Sequence, residues 1–229
     1  MTTALAPVIT VDGPGGAGKG TLCAAIARSH GWHLLDSGAI YRLLGLKTRT
    51  AGVDFDDTEV ICALATDLDI AFQPGGVGEL VTTFLDGEDV SASIRTESAG
   101  TDASMVAAIG PARAALLERQ RQFRQAPGLV ADGRDMGTVV FTDAELKIFL
   151  TASVQERAER RYKQLIQKGV SASLPHLSAE IAERDQRDRE RATAPMVPAD
   201  DAIELDTTGI AIEAVVEKVQ RLMRERGLR

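Results

Sequence analysis

Between the apolar run Pro7-Val8-Ile9-Thr10-Val11-Asp12 and the stretch Leu22-Cys23-Ala24-Ala25-Ile26-Ala27-Arg28 lies Gly13-Pro14-Gly15-Gly16-Ala17-Gly18-Lys19-Gly20-Thr21. This segment constrains the fold most, because such a glycine-rich turn needs a buried strand before it and a helix after it. Glycines let the backbone curl until successive N–H groups converge on an anion, the lysine adds a mobile charge, and the helix presents its positive end. Val8, Ile9 and Val11 are strand-forming, and Leu22, Ala25 and Ile26 repeat at helical spacing as far as Gly31. Gly13 to Thr21 are therefore expected to hold the phosphates of a nucleoside triphosphate. One position departs from the general pattern: Gly20 stands where Ser or Thr would reach magnesium, leaving Thr21 as a secondary metal candidate.

Further buried-strand candidates are Trp32-His33-Leu34-Leu35-Asp36, Gly128-Leu129-Val130-Ala131-Asp132, Leu146-Lys147-Ile148-Phe149-Leu150 and Ala202-Ile203-Glu204-Leu205-Asp206, with helical stretches between them. That alternation predicts an α/β fold with a parallel sheet covered on both faces and ligands at the carboxyl ends of its strands. After the second strand, Ser37 is placed to cap the helix that carries Tyr41 and Arg42. From about Asp67 to Ile94 the pattern changes. Leu68 to Phe72 and Leu80 to Leu85 read as short strands around the turn-rich Pro74-Gly75-Gly76-Val77-Gly78, and Asp86-Gly87 marks another tight turn. This small antiparallel insert has two readings, a plain hairpin or a mobile binding flap. The last helix, about Ile210 to Arg226, carries Ile212, Val215, Val216, Val219 and Leu222 at core spacing.

Composition narrows the function classes. The net charge of −7 argues against an overall nucleic-acid or membrane-surface binder, so an anion site has to be a local basic cluster. Two cysteines, Cys23 and Cys62, form no disulfide framework and lack metal-ligand spacing. No segment approaches the ~20 apolar residues of a membrane span, and no leader is legible at Met1 to Pro7. A soluble, cytoplasmic protein with reduced thiols is expected.

Phosphoryl transfer needs cations around the migrating group, since it rests on positioning and on neutralising charge. Gln155 to Arg161 begins a helix in which Arg157 and Arg161 share a face. In Glu183-Arg184-Asp185-Gln186-Arg187-Asp188-Arg189-Glu190-Arg191, residues Arg184, Asp188 and Arg191 also fall on one helical face. A solvated ion-pair helix would look similar. Its basic residues, however, are all arginine, which suits bidentate phosphate contacts, and Gly169 to Pro175 has the character of a lid connection. Asp132-Gly133-Arg134-Asp135 follows a buried strand directly, so Asp132 is well placed to hold magnesium through water where Gly20 has removed a hydroxyl.

Together, Val11-Asp12-Gly13-Pro14 leading into Gly18-Lys19-Gly20-Thr21, Leu35-Asp36-Ser37-Gly38-Ala39-Ile40-Tyr41-Arg42, Asp132-Gly133-Arg134-Asp135-Met136-Gly137-Thr138-Val139-Val140-Phe141 and Glu183 to Arg191 make the chain resemble the bacterial cytidylate kinases over nearly its whole length. The resemblance implies a single domain with the three-layer P-loop NTPase fold and a five-stranded parallel sheet. It divides the domain into a core (about 1–36, 105–155 and 192–229), a monophosphate-binding region with the insert (about 37–104) and a short helical lid (about 156–191). It implies transfer of phosphate from ATP, with Mg2+, to CMP or dCMP, in a monomer that binds neither nucleic acid nor membrane. Gly13, Pro14, Gly15, Gly16, Ala17, Gly18, Lys19, Gly20 and Thr21 would hold ATP, while Arg42 and Arg134 would hold the CMP phosphate. Ser37, Arg184 and Asp188 would lie on the sugar side, with Ser104, Arg113, Asp135 and Arg191 around cytosine. Lys19, Arg134, Arg157 and Arg161 would act on the transferring group. A carboxylate suits cytosine, whose N4 amine donates where uracil presents an acceptor.

Competing readings are a P-loop kinase with another acceptor, a nucleic-acid module built on the arginine run and a silent nucleotide sensor. Interleaved acidic residues and the net charge oppose the second. A regulatory GTPase would need an Asn-Lys-x-Asp motif, and the sequence contains no asparagine.

Overall fold

The computed structural model describes residues 5–73, 81–167, 169–191 and 193–228. Five parallel strands form the central sheet: β1 (Val8–Asp12), β2 (His33–Asp36), and, after the insert and its helices, β6 (Leu129–Asp132), β7 (Leu146–Thr151) and β8 (Ile203–Asp206). Their order is β2-β6-β1-β7-β8. β1 is central and buried along its full length, which is why it reads as an uninterrupted apolar run. In this register Val11 pairs with Asp132 and Asp36 pairs with Asp132, so the carboxyl ends of β1, β2 and β6 bring Asp12, Asp36 and Asp132 to one edge.

Successive residues of β1 enter opposite layers. Ile9 and Val11 join Leu22 and Ile26 of α1 (Lys19–His30) and Val215, Val219 and Met223 of α8 (Ile212–Glu225). Val8 faces the other layer, where α2 (Ser37–Thr50), α3 (Thr58–Thr66), α4 (Glu97–Ala108) and α5 (Gly110–Arg121) contribute Ile40, Leu43, Leu44, Ile61, Val106 and Leu116. The sequence reading gave Ser37 the cap of α2, but Asp36 is the cap. Its Oδ1 accepts the Ala39 N–H at 2.9 Å, and Ser37 is the first residue of the helix.

The insert is a three-stranded antiparallel sheet of β3 (Ile70–Gln73), β4 (Thr82–Leu85) and β5 (Glu88–Asp89). The expected tight turn joins β4 to β5, with Asp86 and Gly87 both at positive φ. The turn read at Pro74 to Gly78 lies outside the described residues. The sheet has a third strand beyond a plain hairpin and is packed on the domain: Ile70, Leu85 and Ile94 belong to the same core as Leu43 and Leu116, and the Phe72 and Phe123 rings lie 5.6 Å apart.

Two helices follow β7: α6 (Val154–Gln167) and α7 (Leu174–Glu190), which pack on each other. Part of the connection assigned to Gly169–Pro175 is already helix, with Pro175 in the first turn of α7 where its missing N–H costs nothing. At the other end, Arg191 is not the third member of a helical face. Its ψ of 131° takes it out of the helix, and Ala194 at positive φ turns the chain away.

Where α2 crosses α4, a Cβ on Gly45 would lie 2.6 Å from the Asp102 Cβ and 2.9 Å from its carbonyl carbon. Gly45→Ala would gain up to about 1 kcal/mol of helix propensity. It would lose about 1–3 kcal/mol by prying two backbones apart. Urea denaturation is expected to show a net loss of about 1–2 kcal/mol. Unchanged or increased stability would contradict the close crossing.

Candidate active site

The glycine-rich loop springs from β1 with Gly13 at φ 135°, passing so close to β7 that a Cβ on Gly13 would overlap the Leu150 carbonyl. Lys19 begins α1 and folds back, donating from Nζ to the Pro14 carbonyl at 3.1 Å and standing 3.6 Å from Asp132 Oδ1. Two further loop carbonyls are held from outside: Thr207 Oγ1 donates to Ala17 at 3.1 Å and Arg157 Nη1 to Gly15 at 3.1 Å. Thr207 carried no signal in the sequence beyond its place after a strand. Its hydroxyl also reaches the Thr151 carbonyl, tying β7 to the loop.

Burial sets the ionisation of this edge. Desolvation raises Asp132 to about 6 against the pull of Lys19 and Arg134, and it raises Asp12 to about 6 as well. The Lys19 ammonium is pushed down, first by burial and then by Arg134. Asp12 was read only as the end of a strand. Its two oxygens accept the backbone N–H groups of Met136 and Gly137, each at 2.8 Å, and so fix the start of a π-helical turn at Met136–Val140. That turn begins directly after Arg134 and Asp135, so the carboxylate at the foot of the phosphate loop also aims the second motif.

Arg134 and Arg184 meet at the loop mouth, and the charge of Arg42 is felt at Arg184. A Cβ on Gly15 would lie 3.4 Å from Arg134 Nη2 and 3.9 Å from Arg184 Nη1. Arg134 Nε donates to Asp188 at 2.9 Å. Arg184 is pushed down to about 10, by burial first and then by Arg134, with Arg42 acting in the same direction. Arg42 is lowered too, through burial and, among its neighbours, Arg161 and Arg134. Arg42 Nη1 donates to the Ile94 carbonyl at 2.7 Å, which joins the insert's exit to this cluster.

A second group lies beside the first. Asp135 stands 3.5 Å from Arg113, whose guanidinium lies 5.5 Å over the Tyr41 ring. Burial raises Asp135, while Arg113, Arg191 and Arg134 act against the rise. Arg191 donates from Nη2 to Ala194 at 2.8 Å, and its buried Nε has no hydrogen-bond partner among the described residues. Ser37 is buried at the start of α2. Ser104 is exposed, with its hydroxyl on the Gly100 carbonyl within α4. Thr21 is exposed in the first turn of α1.

Arg157 and Arg161 lie four residues apart in α6 as their spacing predicts, but differ in burial. Arg161 is exposed and its charge is felt at Arg42. Arg157 is only 2% exposed and heavily engaged: Nε donates to Ala152 at 3.0 Å, Nη1 to Gly15 and to Asp185 Oδ1 at 3.0 Å, and Nη2 to Asp185 Oδ2. Four of its five N–H donors are used within the protein, which leaves one on Nη2.

The loop and its lysine provide for one polyphosphate, and Arg42, Arg134 and Arg184 gather positive charge for another anion at its mouth. Such a pairing at the carboxyl edge of a parallel sheet defines the P-loop kinases. Comparison with known proteins narrows the class. A family model described as cytidylate kinase matches residues 9–225. The cytidylate kinase of Pseudomonas entomophila is 57% identical over 215 residues, 94% of each chain. That of Klebsiella pneumoniae is 56% identical over 225 residues, 98% of each chain. The chain belongs to the cytidylate kinase family.

Asp132 with its pKa raised to about 6 is ionised above that pH and takes a proton below it. Between pH 7 and pH 5, kcat/KM for ATP is expected to fall with an apparent pKa near 6. A flat profile across that range would remove Asp132 from the donor site.

Proposed function

We propose that this chain transfers the γ-phosphoryl group of ATP to CMP, and also to dCMP, releasing ADP and the nucleoside diphosphate. Membership of the family carries the reaction, and the buried Asp135 facing Arg113 supports the choice of base. An ionised carboxylate accepts a hydrogen bond from the cytosine N4 amine and repels the O4 of uracil. Burial raises the pKa of that carboxylate, and Arg113 and Arg191 oppose the rise and so favour its charged form.

Gly13 to Thr21 bind the ATP phosphates, Arg42 and Arg134 the acceptor phosphate, and Ser37, Arg184 and Asp188 the sugar side. Ser104 would join the base site on substrate binding. No general base is needed, since the attacking atom is already an ionised phosphate oxygen. Lys19, Arg134 and Arg161 align the two anions and offset charge on the migrating group. By the bounds of the resemblance, the acceptor site would draw Ser37 and Arg42 from the monophosphate-binding region, Arg134 from the core, and Arg184 and Asp188 from the lid.

The residues fit Mg2+. Asp132 is a buried carboxylate that accepts no backbone N–H among the described residues, and a Cβ on Gly20 would lie 3.6 Å from its Oδ2. Among the described residues no group of three or more His, Cys, Asp or Glu side chains forms a metal cage, so phosphate oxygens and water supply most ligands. Asp132 would hold the ion through water, with Thr21 as the secondary contact. Bound there, Mg2+ neutralises charge on the β- and γ-phosphates. Among the described residues no helix is long and apolar enough to cross a membrane. We take the protein as a cytoplasmic monomer that engages small nucleotides and neither nucleic acid nor membrane.

A coupled assay with each monophosphate tests the acceptor, and turnover of AMP or UMP equal to that of CMP would overturn it. Asp135→Ala is expected to lower kcat/KM for CMP by about 10- to 100-fold, the loss of a hydrogen bond to a charged group. KM for ATP should hold, and a defect confined to ATP would end the base-reading role. Arg184→Ala is expected to raise KM for CMP by about tenfold, again from one charged contact.

A further inference from the structure

A loop that turns its amides toward a phosphate turns carbonyls the other way, and a buried carbonyl needs a donor. For Gly15 that donor is Arg157 of α6, in the bond at 3.1 Å. The same guanidinium makes a bidentate pair with Asp185 of α7, both side chains at most 4% exposed. Asp185 lies between Arg184 and Asp188 in sequence, and those two residues meet Arg134 at the loop mouth. The backbone packing is equally close, since a Cβ on Gly16 would lie 3.3 Å from the Arg157 Cβ.

We propose that Arg157 and Asp185 are positioning residues which fix α7 in register with the phosphate loop, so that one buried ion pair sets the geometry of the ATP site and of the acceptor site together. A planar guanidinium can do this because its donors diverge in a fixed fork: one edge serves Asp185 while Nη1 also reaches the loop. A shift of α7 relative to Gly15 would move Arg184 and Asp188 against the phosphates. Misplacement of about 1 Å suffices to cost roughly 100-fold in rate. The inference rests on the assignment of Arg184 and Asp188 to the acceptor. Arg184→Ala tests that assignment alone, because that side chain takes no part in the pair.

The test uses Arg157→Lys, Asp185→Asn and the double variant Arg157→Met/Asp185→Leu. Removing one partner strands a buried charge, whereas an apolar pair of similar volume often keeps a fold stable. For each variant the melting temperature and the KM values for ATP and for CMP are measured. The expected result is a rise in both KM values, about tenfold in the double variant and about threefold in Asp185→Asn, in protein that still melts cooperatively. Arg157→Lys keeps the charge but loses the fork, so it should not restore both values. A merely structural pair would change melting temperature and active fraction while both KM values stay within twofold, and that outcome overturns the proposal. A rise in only one KM overturns it too, because the sites would then be held independently. Should the double variant fail to fold, Asp185→Asn is judged by the same criteria. If Arg184→Ala leaves KM for CMP unchanged, it is the acceptor assignment that fails.

Discussion

The structure depends on finding partners for the outward-facing side of its phosphate loop. Lys19 takes the Pro14 carbonyl, Arg157 that of Gly15 and Thr207 that of Ala17, so α1, α6 and the segment after β8 all meet at nine residues of chain. Gly13 lies against the Leu150 carbonyl with no room for a side chain. Each partner comes from a different part of the sequence. The loop therefore takes its shape only once the sheet order β2-β6-β1-β7-β8 has closed around it. The Thr207 bond is neutral and contributes about 1 kcal/mol, while those from the Lys19 ammonium and the Arg157 guanidinium are charge-assisted and contribute about 1.5–3 kcal/mol each.

The charges have a similar interdependence. Burial and then the charge of Arg134 lower the proton affinity of Arg184, burial and the charges of Arg161 and Arg134 lower that of Arg42, and Asp12 and Asp132 are raised by burial. Groups so placed are in surroundings that disfavour their charged forms until opposite charge arrives. The core absorbs the cost. Two apolar layers flank β1, and the insert extends one of them as far as the segment whose Ile94 carbonyl receives Arg42.

Much of this was legible from residue order. The phosphate loop, the five strands and the Asp86-Gly87 turn each carry a local signal of period or turn chemistry, and the structure has all of them. What stayed hidden depends on partners distant in sequence. Nothing local says that Arg157 is buried and Arg161 exposed, because both fit the same helical face and the deciding carboxylate is 28 residues away. Asp185 sits in an arginine-rich run where it reads as one more exchangeable ion pair. The cap of α2 went to Ser37 because Asp36 had already been counted as a strand residue, whereas it serves both elements. Arg191 fell at helical spacing, and only the turn at Ala194 removes it from the helix. Asp12 lacked any signal for its bonds to Met136 and Gly137 across 124 and 125 residues.

The ion pair between Arg134 and Asp188, at 2.9 Å, has one more consequence. It occupies Nε, while Nη2 lies beside Gly15 of the phosphate loop. On the assignment proposed above, an acceptor phosphate therefore meets Arg134 next to a tethered carboxylate, and the attraction of one is offset by the repulsion of the other. Asp188 thus tempers the grip of Arg134 on its anion as well as holding it in place.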